Sequence, residues 1–295
     1  MDGRDHRALG ILLVTLGTVL WSSAGLFVRL LDLDIWTMQG WRAVFGGLSL
    51  LVVIAIERRR ATLTALVEIG RPGLIAGPVA AVSMLTYVAA LQLTTVANVM
   101  TVYATVPFMA AGVAWLWIGE RVRRRALVAG AWALSGVIVM AGAATRPEDI
   151  AGNALSLLMT LSFAIFIVMA RRYPGLGMAP VNVLGTAICA LVCLPFMQAE
   201  IPPPRDLLVL AAFGALTSGV AYLLFLTGSR LIQASEAGLI ALLDVVLGPL
   251  WVWLFFAEDP GVAALIGGGI VLASLVWYML SPADSSSAEP QPSPR

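Results

Sequence analysis

Apolar residues run along this chain in ten stretches, separated by short connectors that hold most of the charge. A helix needs about 20 mostly apolar residues to cross a hydrocarbon core of about 30 Å, and in lipid its backbone amides must be satisfied within the segment. The pattern therefore predicts ten transmembrane helices, at 8–30, 35–56, 72–92, 96–118, 126–143, 150–170, 178–198, 207–227, 235–256 and 261–280. The fold class is all-α integral membrane. Residues 1–7 form a charged cytoplasmic N-terminus, and 281–295, rich in Pro and Ser, are expected to be a disordered cytoplasmic tail. The first apolar run is too long for a signal-peptide core and lacks a clear cleavage site, so it is expected to stay as the first span.

An even number of spans invites a search for duplication. A shift of 138 residues lays Leu127–Ala131 over Leu265–Gly269, Gly119-Glu120-Arg121 over Ala257-Glu258-Asp259, Trp115 over Trp253 and Trp117 over Phe255. A shift of 140 lays Ser22 and Ala24 over Ser162 and Ala164. Gly- and Leu-rich helices can align by chance, but here the tryptophan and glutamate matches share one register. The expected halves are 8–143 and 150–280. Five is odd, so the second half must enter from the opposite side. That gives two inverted five-helix repeats, the arrangement in which secondary transporters hold a binding site near the bilayer midplane.

Composition narrows the function classes. The chain is 60% hydrophobic and 12% charged, with mean hydropathy +0.92. Soluble domains average about 45–50% apolar and about 25% charged, so a water-soluble fold is excluded. A formal net charge of +1, with neither a basic face nor a basic tail, argues against nucleic acid as a partner. All 18 positive side chains are arginine. Fourteen fall in connectors on one side if the N-terminus is cytoplasmic (Arg4, Arg7, Arg58–Arg60, Arg71, Arg121, Arg123–Arg125, Arg171, Arg172, Arg230, Arg295) and two, Arg146 and Arg205, on the other. That asymmetry predicts both termini inside. Without lysine there is no nucleotide-binding G-x-x-x-x-G-K-[ST] loop, which argues against ATP-driven transport. His6 is the only histidine, and Cys189 and Cys193 read as small buried hydrophobes on one helix face, so neither metal nor cofactor is expected.

Polar groups within membrane helices tend to face a bundle interior or a wet cavity. Thr15, Thr18 and Ser22 share a stripe beside Trp21; Ser83 and Tyr87 lie four apart; Asn98, Thr101 and Thr105 share a stripe near Tyr103. Ser156, Thr160 and Phe163 form a fourth set, and Ser218, Tyr222 and Phe225 a fifth. Together they could line a central substrate cavity. Each hydroxyl taken alone could instead bond its own helix or serve a close helix contact. Asp244, midway along the ninth span, could bind a substrate ammonium or take up a proton; equally, it could pair with Arg42 or cap a break near Gly248-Pro249. Glu236 reads as a boundary residue. Arg42 either snorkels or binds a carboxylate, and Arg29 is expected at the interface or paired with Asp32 or Asp34. Gly77-Pro78, Pro107, Pro195 and Gly248-Pro249 can kink their helices, with Pro78, Pro107, Gly248 and Pro249 as candidate gating points. Gly46-Gly47, Gly130 and Gly267–Gly269 suit close helix packing.

The run from Ala97 to Gly142, with a small-polar start, a mid-helix proline (Pro107), a G-E-R turn and a glycine-rich following span, resembles the hallmark of EamA-type members of the drug/metabolite transporter superfamily. A second copy runs from Ser235 to Leu280, with Val245 in place of Pro107, the proline displaced to Pro249, and the triplet changed to Ala257-Glu258-Asp259. Leu242–Phe256 is most similar to YddG-type amino-acid exporters. The resemblance implies a carrier, with a single chain working as a monomer in the inner membrane. It would export amino acids, aromatic ones included, or other metabolites or drugs, by alternating access. The lipid bilayer and the small-molecule substrate would be its partners. An intramembrane enzyme would need a concentrated catalytic set, which the chain lacks, and a channel would usually need a ring of charges or carbonyls from several subunits.

Overall fold

In a computed structural model of the 295-residue chain, residues 3–58, 69–119, 124–142, 147–173, 175–232, 237, 240–241 and 243–280 are described. They form helices joined by turns, with no strand among them. Span one is α1 (Gly3–Ser22) and α2 (Ala24–Leu30); span two is α3 (Ile35–Arg58); span three is α4 (Gly70–Leu93). Span four is α5 (Val96–Tyr103) and α6 (Val106–Ile118), span five α7 (Arg124–Ala141) and span six α8 (Pro147–Arg172). Span seven is α9 (Met178–Cys193) with a 3-10 turn at Leu194–Phe196. Span eight is α10 (Pro204–Gly214), a π-helical stretch at Ala215–Val220 and α11 (Ala221–Ser229). Spans nine and ten are α12 (Leu243–Phe256) and α13 (Val262–Leu280). Seven helices are long and apolar enough to cross a membrane, and the described parts of spans five, nine and ten are shorter apolar helices. Glu120, Arg146, Glu236 and the tail 281–295 lie outside the described residues.

The surface is inside-out relative to a soluble protein. Leu116, Val262 and Leu208 are more than 70% exposed, whereas Thr18, Ser22, Gln39, Ser156 and Thr160 are fully buried. Large exposed side chains suit lipid, and hydroxyls that cannot meet water are satisfied within the bundle.

Helix contacts define a closed ring. Its order is span one, eight, two, seven, three, six, four, nine and back to one, with spans five and ten packed on each other outside it, against span four. Two seams of this ring are sealed by glycine pairs. A Cβ on Gly214 in span eight would lie 2.6 Å from the Gly46 nitrogen in span two. A Cβ on Gly185 in span seven would lie 3.3 Å from the Gly77 oxygen in span three and 2.9 Å from the Ala80 Cβ. Gly46 and Gly185 are 139 residues apart and Gly77 and Gly214 are 137 apart, so the two seams are equivalent under the duplication. The pair of spans five and ten also crosses on glycine, Gly136 against Gly267.

The duplicated register appears again in the backbone. Gly119 ends α6 at φ +73°, and its N–H donates to the Trp115 carbonyl at 3.2 Å. Ala257, 138 residues later, follows α12 at φ +50°, and its N–H donates to the Trp253 carbonyl at 3.1 Å. Glycine tolerates this left-handed cap, whereas an L-residue there costs roughly 1–2 kcal/mol. Ala257→Gly is therefore expected to stabilise the fold by about 0.5–1 kcal/mol, after discounting the extra freedom glycine gives the unfolded chain. Thermal melting in detergent should show a rise of about 2 °C; a fall would contradict the assignment of strain to this residue.

Helix interruptions follow proline only in part. Span four breaks at Ala104–Thr105, just before Pro107, and Pro195 lies in the 3-10 turn. Pro78 and Pro249 sit inside continuous stretches of α4 and α12. The break at Ser23 and the π stretch of span eight carry no proline.

Candidate functional site

The eight helices of the ring surround a centre, the lumen, and side chains from helices on different sides of the ring approach one another near it. Tyr87 on span three lies within electrostatic reach of Arg42 on span two, Asp244 on span nine and Tyr103 on span four. Span three is separated from span two by span seven, and from span nine by spans six and four. These groups therefore approach one another from different sides of the ring. All four are half-buried, as is Phe163, whose ring centroid lies 5.9 Å from that of Tyr103. The lumen wall is thus aromatic, with one carboxylate and one guanidinium. Asp244 Oδ1 and Arg42 Nε are buried with no hydrogen-bond partner. The Arg42 guanidinium carbon rests 4.6 Å above the Phe213 ring, and its NH1 points to Gln39 Oε1 at 3.5 Å. Of the alternatives open for Asp244, pairing with Arg42 is not seen: Arg42 makes these contacts instead.

One end of the lumen is closed. Arg29, at the end of span one, donates from Nε to Glu258 Oε2 at 2.6 Å, from NH1 to the Leu91 carbonyl at 2.6 Å and from NH2 to the Thr94 carbonyl at 3.1 Å. Glu258 Oε1 accepts the Val96 N–H at 2.8 Å. Two side chains thereby tie the ends of spans one, three and nine and the start of span four. Val28, Leu31, Val88, Leu91, Val96 and Val252 fill the space beside this clasp as one cluster, joined across the ring. Toward the opposite end the described clusters are local to the wall: Ala76, Ala80, Phe166, Met169 and Val181 form one, and Ile54, Ala179, Val183 and Tyr222 another.

Arg29 thus departs from its expected partners. Asp34 is engaged elsewhere: its Oδ1 accepts the N–H groups of Trp36 (2.9 Å) and Thr37 (3.0 Å), capping α3. Burial raises the affinity of the Asp34 carboxyl for its proton, but these bonds outweigh it and hold the group below its ordinary range.

Many of the predicted cavity hydroxyls serve the walls. Thr18, Thr105 and Thr160 bond the carbonyls of Val14, Val102 and Ser156 on their own helices, the ordinary fate of a buried Thr in a helix. Ser83 reaches across to the Met159 carbonyl at 3.3 Å, and Ser22 accepts the Trp251 indole N–H at 2.9 Å. Thr101 abuts Gly268 on span ten, and Ser218 abuts Gly46 in the glycine seam. Asn98 donates to Thr94 Oγ1 at 2.9 Å in the turn between spans three and four. Tyr222 packs among Ile54, Ala179 and Val183. Thr15 and Trp21 are half-buried on span one. Gly248 lies against Met100, closing the approach of spans four and nine. Cys189 and Cys193 are buried free thiols, and Gln39 Nε2 donates to the Cys189 sulfur at 3.0 Å.

Trp21 has a specific task. Its indole N–H donates to the Thr217 carbonyl at 2.8 Å, inside the π-helical stretch, where widened backbone spacing leaves carbonyls poorly matched. Its ring also packs at 4.9 Å from Phe225. Trp21→Phe removes the donor and strands that carbonyl, which is expected to cost about 1–2 kcal/mol. A melting temperature unchanged from wild type would mean that the π stretch does not need Trp21.

Two hollows on the lipid-facing flank differ from the lumen. One of about 210 Å³ is lined by Gly40, Trp41, Val44, Ala190, Leu191 and Met197, among others; the other, about 440 Å³, is lined by Met109, Gly112, Val113, Leu116, Leu157 and Leu161, among others. No charged side chain lines either, which suits acyl chains rather than polar cargo.

Comparison with known proteins agrees with this architecture. The profile of the EamA-like transporter family matches residues 8–142 and again 150–280. An uncharacterized transporter of Archaeoglobus fulgidus is 26% identical over 269 residues, covering 89% of this chain and 93% of that protein. A crystal structure described only as that of a protein superposes with a TM-score of 0.64 at 19% identity, covering 90% of this chain and 95% of the other, a likeness of fold.

Proposed function

The chain belongs to the EamA-like transporter family, and from that premise we propose that it is a secondary transporter of small amphiphilic metabolites, aromatic and other amino acids foremost. It exports them across the inner membrane by alternating access. What supports this reading is the makeup of the ring's centre. A ring of eight helices surrounds Tyr87, Tyr103 and Phe163, which suit an apolar side chain, beside two ionisable groups with buried unpaired atoms. Cavities of this makeup bind amphiphiles by stacking and a few placed polar contacts.

The two halves are inverted repeats in this reading. Support comes from the equivalent glycine seams, from the matching left-handed caps at Gly119 and Ala257, and from the odd number of spans per half. With arginine-rich connectors on the cytoplasmic side, both termini lie inside and the Arg29–Glu258 clasp lies outside. The conformation is then one sealed toward the exterior, able to load from the cytoplasm. Export requires the clasp to open and the opposite end to close.

Purified protein in liposomes, screened for saturable counterflow across the amino acids with and without a pH gradient, tests the reading. Saturable counterflow of an aromatic amino acid is the expected result. Flux that never saturates would indicate a channel, chemical conversion of the solute an enzyme, and transport confined to solutes other than amino acids would remove the substrate assignment.

A further inference from the structure

We infer that Arg42 and Asp244 form the two poles of a split site for a zwitterion, Arg42 receiving the carboxylate and Asp244 the ammonium of one α-amino acid. This rests on the transporter reading above and adds the residues that define its substrate class.

Apart from Asp34, whose other oxygen caps α3, Arg42 and Asp244 are the charged side chains among the described residues that keep a buried polar atom without a hydrogen-bond partner. Burying an unpaired charge is costly, and such a charge persists where something supplies its complement. The two do not supply it to each other. Arg42 is steered over the Phe213 ring and toward Gln39, an arrangement that orients the guanidinium without neutralising it. Spans two and nine are separated in the ring by spans one and eight, yet both residues lie within electrostatic reach of Tyr87. They therefore face the lumen from opposing walls.

The two poles differ in depth. Arg42 is seven residues from Ile35 and Asp244 twelve from Phe256, both counted from the clasp end; at about 1.5 Å per residue their positions differ by about 8 Å in depth along the ring axis. Tyr103, within reach of Asp244 and packed on Phe163, offers an aromatic surface for the side chain of the same molecule.

The test uses purified full-length protein with three probes: phenylalanine, its decarboxylated analogue phenethylamine, and its deaminated analogue 3-phenylpropionate. Binding is read by ligand-induced thermal stabilisation and transport by counterflow. Wild type should bind phenylalanine about ten- to a hundredfold more tightly than either analogue, the value of one charge-assisted pair. Arg42→Gln should erase the preference for phenylalanine over phenethylamine while keeping that over 3-phenylpropionate; Asp244→Asn should do the reverse. Arg42→Lys keeps the charge and should retain part of the preference, which separates recognition from a folding defect. Equal losses for all three probes in both variants, with native melting temperatures, would overturn the split site. So would wild type binding the amine or the acid as tightly as the zwitterion. Transport of phenylalanine with no discrimination by either variant would overturn the site and leave the transporter reading intact; the absence of amino-acid transport by wild type would remove that substrate reading itself.

Discussion

Arg29→Gln should loosen the closed end of the lumen by about 2–3 kcal/mol. The substitution removes the ion pair with Glu258 and weakens the hold on two backbone carbonyls, leaving Glu258 without its counter-charge. Breaking a fully buried pair costs roughly 3–5 kcal/mol; the side chains here keep 24% and 16% of their surface, so a lower figure applies. If closure of this end depends on the clasp, the population open at that end should grow by about 30- to 150-fold. A cysteine placed at buried Leu31 would report the change through its labelling rate with an impermeant maleimide, since the native thiols are buried. Glu258→Gln should produce a similar rise, and the double variant little more than either single one, because both act on one contact. Additive effects, or an unchanged labelling rate, would mean that the end is held by its apolar cluster instead.

A larger effect is expected at the glycine seam of spans two and eight. A Cβ on Gly214 would stand 2.6 Å from the Gly46 nitrogen and 2.7 Å from the Arg42 carbonyl oxygen, and backbone atoms cannot swing aside as side chains do. Gly214→Val must force the two helices apart and is expected to cost more than about 3 kcal/mol, beyond ordinary overpacking. The measurable outcome is loss of monodisperse protein on size exclusion. Gly112→Ala and Gly269→Ala are the controls: a Cβ there meets nothing within 4 Å. Each should be neutral or gain up to about 1 kcal/mol from helix propensity. Folded Gly214→Val protein with wild-type melting would refute the close-seam account.

The spans were legible because lipid demands long apolar runs: 35–56 is the helix Ile35–Arg58, and 96–118 is the span Val96–Ile118, broken at Ala104–Thr105, within the frayed edges usual for helices. The duplication was legible for a similar reason, since Trp115 and Trp253 hold equivalent places at helix ends. The lumen was harder to read. A period of 3.6 groups Thr15, Thr18 and Ser22 on one face but cannot say which neighbour that face meets. Thr18 turned back on its own helix, whereas Ser22 met Trp251 from span nine. The clasp was hidden twice. Asp32 and Asp34 are nearer to Arg29 in sequence, and the triplet at Ala257-Glu258-Asp259 differs from Gly119-Glu120-Arg121 in the first copy, although the alignment of Glu258 with Glu120 was the available signal. The π stretch had none, because its indole partner, Trp21, stands 196 residues away.

Each junction in the ring joins a helix of the first matched stretch to one of the second. Spans one to four therefore share few lasting contacts, the Arg29 bonds to Leu91 and Thr94 among them, and the ribosome must finish span six before the first junction of the ring can form. During that interval the early helices wait in the bilayer with their hydroxyls satisfied locally, as the self-bonded threonines allow. The halves are interleaved like the fingers of two hands. Fragments 1–146 and 147–295 should be degraded when produced singly and should rebuild a functional protein when produced together.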